Sequence, residues 1–205
     1  MPVYLIRHGE TAANAARVVQ TPDVPLSDRG LSQARRLAAR LADEGIAAIL
    51  SSDLRRAAMT AEALHEATRA PLSFDALLQE RNFGDVRGTP YAELEVDLFG
   101  PDYAPPRGES WEVFHRRVDR AWERVAELAA ATEGNLAVVT HGLVCRAVVS
   151  RRARLAEGIA DPGLGWANTS LTILDGGPDD WRIELLNCTA HLDEPEGDGA
   201  VKGPV

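Results

Sequence analysis

The sequence predicts an α/β fold: a three-layer αβα sandwich with a mainly parallel central sheet, helices on both faces and a hairpin at the sheet edge. Three observations predict it. Strand-like and helix-like stretches alternate along most of the 205 residues, the pattern of βαβ units. The strand candidates at 3–6 and 136–139 are apolar without interruption, as expected of strands covered on both faces. The helix candidates carry one apolar stripe and a polar back, as expected of helices laid against a sheet.

Taken in order, Val3-Tyr4-Leu5-Ile6 is the first strand and runs into Arg7-His8-Gly9. Ser27 then caps a helix whose inner face is Leu31, Ala34, Leu37, Ala38 and Leu41, with Gly45 as its stop. The next strand, 46–50, ends at Ser51-Ser52. A helix over about 54–67 carries Leu54, Ala57, Ala61 and Leu64, and Pro71 follows it. Residues 72–109 are irregular, with an apolar piece at 76–78, a short helix expected at 91–98 and a Pro-rich run to Pro106. Their later part, about 83–109, reads as a lid excursion and not a second domain. The longest helix starts near Ser110, with Trp111, Phe114, Val118, Ala121, Trp122, Val125 and Leu128 on one face. A strand at 136–139 and a helix from 143 follow. Strands at 170–174 and 181–186 flank the turn Gly176-Gly177-Pro178, the expected edge hairpin. One domain thus spans 1–192, and the polar, Gly-rich tail 193–205 is expected to be disordered.

Composition excludes several function classes. A net charge of −9 argues against a nucleic-acid partner, since phosphate backbones demand basic surface. No apolar run approaches the ~20 residues of a membrane span, and no signal peptide is visible, so the reading is cytoplasmic with no membrane partner. Cys145 and Cys188 are read as free thiols in a reducing compartment. All but one of the 22 basic residues are arginine, which a base-composition bias explains as readily as function does.

The chemistry concentrates in two similar settings. His8 and His141 each follow an apolar strand and each precede glycine, in Arg7-His8-Gly9 and Thr140-His141-Gly142. The carboxyl ends of parallel strands line the ligand crevice of an open sheet. Arg56 lies just past the end of another strand. Two imidazoles with arginines beside them, and the helix N-terminus at Gly142 contributing N–H donors, suit a phosphate dianion. A zinc site on the two histidines conflicts with those arginines, which repel a cation; no metal and no cofactor is expected. His65 and His115 read as surface residues of helices, Arg55 as a solvated helix residue, and Glu10 as structural.

Beyond this reading lies a resemblance. Arg7-His8-Gly9-Glu10-Thr11 with Asn14 resembles the signature of the histidine phosphatase superfamily, the phosphoglycerate mutase-like proteins. Pro25-Leu26-Ser27-Asp28-Arg29-Gly30, Ser51-Ser52-Asp53-Leu54-Arg55-Arg56, Leu78-Gln79-Glu80-Arg81-Asn82-Phe83-Gly84, Gly108-Glu109-Ser110, Thr140-His141-Gly142 and Ala190-His191-Leu192 follow in the family's order, so it covers roughly 2–192. The resemblance implies His8 as the phosphorylated nucleophile and Glu80 as the proton donor. It implies Arg7, Arg56 and His141 around the phosphoryl oxygens, with Asn14, Gln20, Thr21 and Gly142 in further phosphate or substrate contacts. His191 reads as structural.

Departures shape the functional expectation. Ala13 stands where mutases of the family commonly have an aromatic residue, and Gln20-Thr21 replaces the usual Gln-Gly. The segment 91–107 lacks the lysine and arginine pair of the glycolytic mutases and has Glu93, Glu95, Asp97 and Asp102 instead. An acidic lid does not favour retention of a doubly charged intermediate. The expectation is therefore a phosphatase branch member: a metal-independent hydrolase of a small-molecule phosphate monoester, acting through a phosphohistidine. The alternatives are mutase-type phosphoryl transfer and a non-catalytic phospho-ligand-binding module. A homodimer through the edge hairpin is one arrangement the sequence allows.

Overall fold

A computed structural model describes residues 1–155, 165–178 and 180–193. Seven strands form one sheet in the order β3-β2-β4-β1-β6-β7-β5. They are β1 (Val3–Arg7), β2 (Ile46–Ser51), β3 (Leu72–Phe74), β4 (Asn135–Thr140), β5 (Ala153–Leu155), β6 (Leu171–Asp175) and β7 (Trp181–Cys188). Only β6 runs against the rest, so the sheet is mainly parallel as expected. The hairpin β6–β7 joins the sheet through β1, and the three-residue β5 adds itself outside β7.

Alternation along the strands builds the two cores. Val3 and Leu5 of β1, with Leu136 and Val138 of β4, face helices α4 (Trp111–Ala131) and α5 (Gly142–Arg152). Tyr4 and Ile6, with Ala137 and Val139, face α2 (Asp28–Leu41) and α3 (Arg55–Thr68). Burial on both faces is why residues 3–6 of β1 and 136–139 of β4 carry no charged side chain. Ser27 caps α2 by accepting the Gly30 N–H at 3.0 Å, and Ser110 caps α4 through the Val113 N–H at 3.3 Å. The four-residue α1 (Ala12–Ala15) is closed by a capping box between Thr11 and Asn14.

The expected helix at 91–98 is a single 3₁₀ turn, Tyr91–Glu93. Asp97 accepts the Phe99 N–H at 2.9 Å, a local turn bond that competes with helix continuation. The lid packs instead through a small cluster of Val19, Phe83 and Leu98. Buried Arg81 pins it from beneath, donating to the carbonyls of Leu98, Tyr103 and Glu109 at 3.0, 2.6 and 3.0 Å. Its guanidinium also lies 3.8 Å from the Trp111 ring centroid. Strands β3 and β5 have no counterpart in the sequence reading. The expected disordered tail lies outside the described residues except for Asp193. No helix among the described residues is long and apolar enough to cross a membrane.

Candidate active site

Strand register assembles the site. β1 and β4 pair in parallel with Arg7 opposite Thr140, so the next residues, His8 and His141, leave the sheet side by side. The His8 N–H donates to the Thr140 carbonyl at 2.9 Å. β2 lies on the far side of β4, with Ser51 opposite Val139, so Ser52 leaves at the same rim. The rings of His8 and His141 meet with centroids 5.1 Å apart at 59°. Both are buried, 2% and 0% exposed; His8 lines a cleft of about 300 Å³, and His141 packs against it from behind the lining residue Gly142.

Hydrogen bonding assigns the tautomers. A carbonyl only accepts, so His8 Nδ1 carries its proton and donates to the Gly9 carbonyl at 2.7 Å; Nε2 is left with its lone pair. His141 Nε2 lies 2.9 Å from the Ser52 hydroxyl. That oxygen accepts the Leu54 N–H at 3.3 Å, and among the described residues its own proton has no acceptor other than Nε2. His141 Nδ1 therefore carries a hydrogen, and it has no partner among the described residues. The site offers one nucleophilic nitrogen and one unpartnered donor on the adjacent ring.

The loop after His8 is held by packing and by side chains distant in sequence. Thr60 accepts the Gly9 N–H at 3.1 Å, Gln33 accepts the Glu10 N–H at 2.9 Å, and Asn168 donates to the His8 carbonyl at 3.1 Å. A Cβ on Gly30 would lie 2.0 Å from the Glu10 carbonyl oxygen, so the glycine at the start of α2 is what lets this loop approach. Glu10 bonds the Ser27 hydroxyl and pairs with exposed Arg29, the structural role expected for it.

Two guanidiniums are anchored at one end and open at the other. Arg56 Nη1 donates to the Thr21 carbonyl at 3.1 Å, and Arg7 Nη1 donates to the Trp166 carbonyl. Among the described residues the Nε–H groups of Arg7 and Arg56 have no partner, and both residues line the cleft. Buried polar groups are rarely left unpaired, and an anion bound in this cleft is a partner both can take. Arg55 is exposed, as expected. Burial, reinforced by Arg7 and Arg87 and opposed by Glu80, lowers Arg56 to about 10, which leaves it protonated at neutral pH. Burial first, then Arg56 and Arg7, hold the imidazoles of His8 and His141 well below the usual histidine value, with the His8 charge adding to the effect on His141. His8 is thus neutral, as a nucleophile must be.

Glu80 lines the same cleft. Its carboxylate accepts the Arg81 N–H at 3.0 Å and the Leu143 N–H at 3.2 Å, and it makes no ion pair with the Arg81 side chain. Burial raises its pKa despite those two N–H groups and despite Arg56 and Arg7. Burial thus shifts Glu80 toward the neutral acid. Arg117 supports the loop, donating to the carbonyls of Leu77, Gln79 and Glu80 at 2.8, 2.7 and 3.2 Å while pairing with Glu109 at 2.7 Å.

Asn14, Gln20 and Gly142 line the cleft as expected. Asn14 Oδ1 accepts from Thr11 and Asn168, which frees its amide N–H groups for a ligand. Thr21 does not line the cleft: its hydroxyl turns to Asp23 at 2.7 Å, and its backbone carbonyl serves Arg56 instead. The acidic lid is also corrected. Glu93, Glu95, Asp97 and Asp102 are exposed and none of them lines the cleft; the lid charge that faces it is Arg87, beside Phe83, Tyr91 and Phe99. His191 does not line the cleft and lies between Arg40 and Thr169 at 3.4 and 3.1 Å. His115, expected at the surface, is half-buried and stacks on Trp111. Ser52, Thr60, Asn168 and Trp166 are the site residues that the sequence reading did not single out. Among the described residues no group of three or more His, Cys, Asp or Glu is placed to hold a metal ion.

Comparison with known proteins agrees with this geometry. The model of the histidine phosphatase superfamily (branch 1) matches residues 3–189. The chain belongs to that superfamily. It is 34% identical to the probable phosphoglycerate mutase GpmB of Yersinia pestis (strain Pestoides F), over 95% of this chain and 96% of the relative. Among solved structures it resembles a mycobacterial glucosyl-3-phosphoglycerate phosphatase, with TM-score 0.76, 27% identity and coverage of 91% and 98%. It also resembles the alpha-ribazole phosphatase from Shigella flexneri, with TM-score 0.77, 26% identity and coverage of 93% and 98%. Membership of this superfamily supports enzymatic phosphate chemistry, phosphatase or mutase.

Proposed function

We propose that this protein is a metal-independent phosphomonoesterase that hydrolyses a small phosphorylated metabolite through a phosphohistidine at His8. One observation carries the reading: neutral His8 packs ring to ring with His141, whose Nδ1 has no partner among the described residues, and shares its cleft with Arg7 and Arg56, whose Nε–H groups are likewise unpartnered. His8 Nε2 attacks phosphorus and the P–O ester bond breaks. Arg7, Arg56 and His141 hold the equatorial oxygens, where charge resides in the transition state. Protonated Glu80 gives its proton to the leaving alkoxide, and the alcohol departs. The Glu80 carboxylate then takes a proton from water as its oxygen attacks the phosphohistidine. The P–N bond breaks, orthophosphate is released, and both groups return to their starting state.

Hydrolysis is favoured over mutase transfer by the cleft wall. A mutase must retain a doubly phosphorylated intermediate, which needs two complete cationic cradles. Here Arg7 and Arg56 form one, each nitrogen of the Arg81 guanidinium already donates to a backbone carbonyl, and Arg87 is the further arginine that lines the remaining space. The rest of that wall is apolar or aromatic, including Leu54, Phe83, Tyr91, Phe99 and Trp166. The mutase is nonetheless the second reading, since it is the activity in the name of the Yersinia relative. A silent phospho-ligand module is disfavoured because nucleophile, donor and acid are all present. Free Cys145 and Cys188 suit a reducing, cytoplasmic setting.

Phosphate release from a chromogenic monoester, in chelator and without added metal, tests the proposal. Activity that vanishes in His8→Ala and is blocked by vanadate is the expected result. Restoration of a chelator-treated, inactive protein by zinc would overturn the metal-free mechanism. Isomerisation of 3-phosphoglycerate without loss of phosphate would establish the mutase instead.

A further inference from the structure

Three arginines with open guanidinium groups line the cleft, Arg7, Arg56 and Arg87, against one carboxyl, Glu80, which burial biases toward its neutral form. A phosphomonoester dianion balances two of these charges. The third cation has no ion-pair partner among the described residues; the carboxylate whose charge reaches it, Glu109, is paired with Arg117.

Arg87 is that cation. It is half-buried, and its side chain has no hydrogen bond or ion pair among the described residues. Its charge nevertheless reaches the site, since it helps to lower Arg56. The neighbouring arginines have partners: Arg107 pairs with Asp85 and Arg117 with Glu109. The backbone that carries Arg87 is fixed to a separate segment of chain. The Gly88 N–H donates to Val19 at 2.7 Å, Val19 N–H to Thr89 at 3.0 Å, and Tyr91 N–H to Arg17 at 2.8 Å. Holding an unpaired cation at a half-dry wall is costly without a ligand.

We propose that Arg87 forms a second anion subsite, which takes a carboxylate on the organic part of the phosphomonoester. A single planar guanidinium matches a carboxylate through two parallel N–H bonds and balances its one charge. A second phosphate would need a further cation, and Arg81 is occupied. The phenol of Tyr91 lines the same wall, where it is placed to bond the carboxylate or a neighbouring hydroxyl. This inference names the substrate class for the phosphatase reading and rests on that reading only for turnover, not for binding.

The test therefore measures binding and turnover separately, with two matched pairs of esters: 3-phosphoglycerate with glycerol 3-phosphate, and 4-carboxyphenyl phosphate with phenyl phosphate. Calorimetry on His8→Ala protein, which cannot be phosphorylated at residue 8, gives affinities without chemistry. In at least one pair the carboxylated ester is expected to bind about tenfold to a hundredfold tighter. Adding Arg87→Gln should erase that ratio, and Arg87→Lys should restore part of it. Thermal unfolding confirms that each variant is folded. Absence of a preference in both pairs overturns the subsite. So does an equal loss for both members of a pair in Arg87→Gln, which would assign Arg87 to the phosphate cradle. Phosphate release by the unmutated protein is scored separately: a carboxylate preference in binding with no release of phosphate would sink the phosphatase reading and leave the subsite standing.

Discussion

The Ser52 hydroxyl is the residue on which the two-histidine arrangement turns, and Ser52→Ala isolates it. In the folded protein it accepts the Leu54 N–H at 3.3 Å and donates to His141 Nε2 at 2.9 Å, fully buried. Alanine removes both bonds. His141 loses the group that keeps its hydrogen on Nδ1 and becomes free to carry it on Nε2, which would turn a lone pair toward the incoming oxyanion. A net hydrogen bond is worth about 1 kcal/mol, so the productive tautomer should lose roughly fivefold in relative population. Loss of the donor altogether would cost about 10²–10³ in kcat, which sets the upper limit. The expected outcome is a fall in kcat of about fivefold to a hundredfold, with KM for the phosphate ester changed much less. Stability should drop by about 1–2 kcal/mol, because the Leu54 N–H is left unsatisfied near the start of α3. Steady-state release of phosphate gives the first number, and nitrogen NMR of labelled histidine gives the tautomer directly. An unprotonated His141 Nδ1 in the unmutated protein, or an unchanged kcat in folded Ser52→Ala, would refute the reasoning.

Other outcomes follow from the same geometry. Glu80→Gln should lower kcat/KM, which reports phosphorylation of His8 and not its hydrolysis, by about 10²–10⁴ for alkyl phosphates and far less for 4-nitrophenyl phosphate, whose leaving group needs no proton; equal losses of kcat/KM for both would remove Glu80 from the acid role. Because burial raises Glu80, its acid form should persist above the ordinary carboxylate range, and the alkyl phosphatase rate should fall only as pH rises through that raised value. His8 and His141 are held well below the usual histidine value in the folded state, so their contribution to stability is present above about pH 6.5 and is lost as pH falls below it. The urea midpoint should therefore decline on acidification, at up to about 1.4 kcal/mol per pH unit for each histidine, and flatten in the double glutamine variant. Gly30→Ala places a Cβ 2.0 Å from the Glu10 carbonyl oxygen and should cost about 1–3 kcal/mol by displacing the His8 loop. A melting temperature unchanged by that substitution would show that the loop has room to move.

What the sequence determined by itself was everything carried by a local pattern. Uninterrupted apolar runs mark β1 and β4 because burial on both faces excludes polar side chains. Stripes and caps mark α2 and α4 because the helical period and the unpaired terminal N–H groups act over a few residues. His8, His141, Arg7, Arg56 and Glu80 were legible because each sits within a few residues of such an element or in a recognisable motif. The three-residue strands β3 and β5 were not, since their pairing relies on neighbours already formed and on no periodicity of their own. The 91–98 segment misled because its apolar positions, spaced for a helix, are satisfied by packing on Val19 and Phe83.

Tertiary structure alone decided which groups meet across the rim. Ser52 reaches a histidine 89 positions away, and Asn168 a carbonyl 160 positions away. No local spacing encodes such contacts; they arise from the register of β1, β4 and β2. The direction of the lid charges was decided in the same way: four carboxylates point to solvent and one arginine points inward, an arrangement set by how the chain is tied to residues 17–19 and not by its composition.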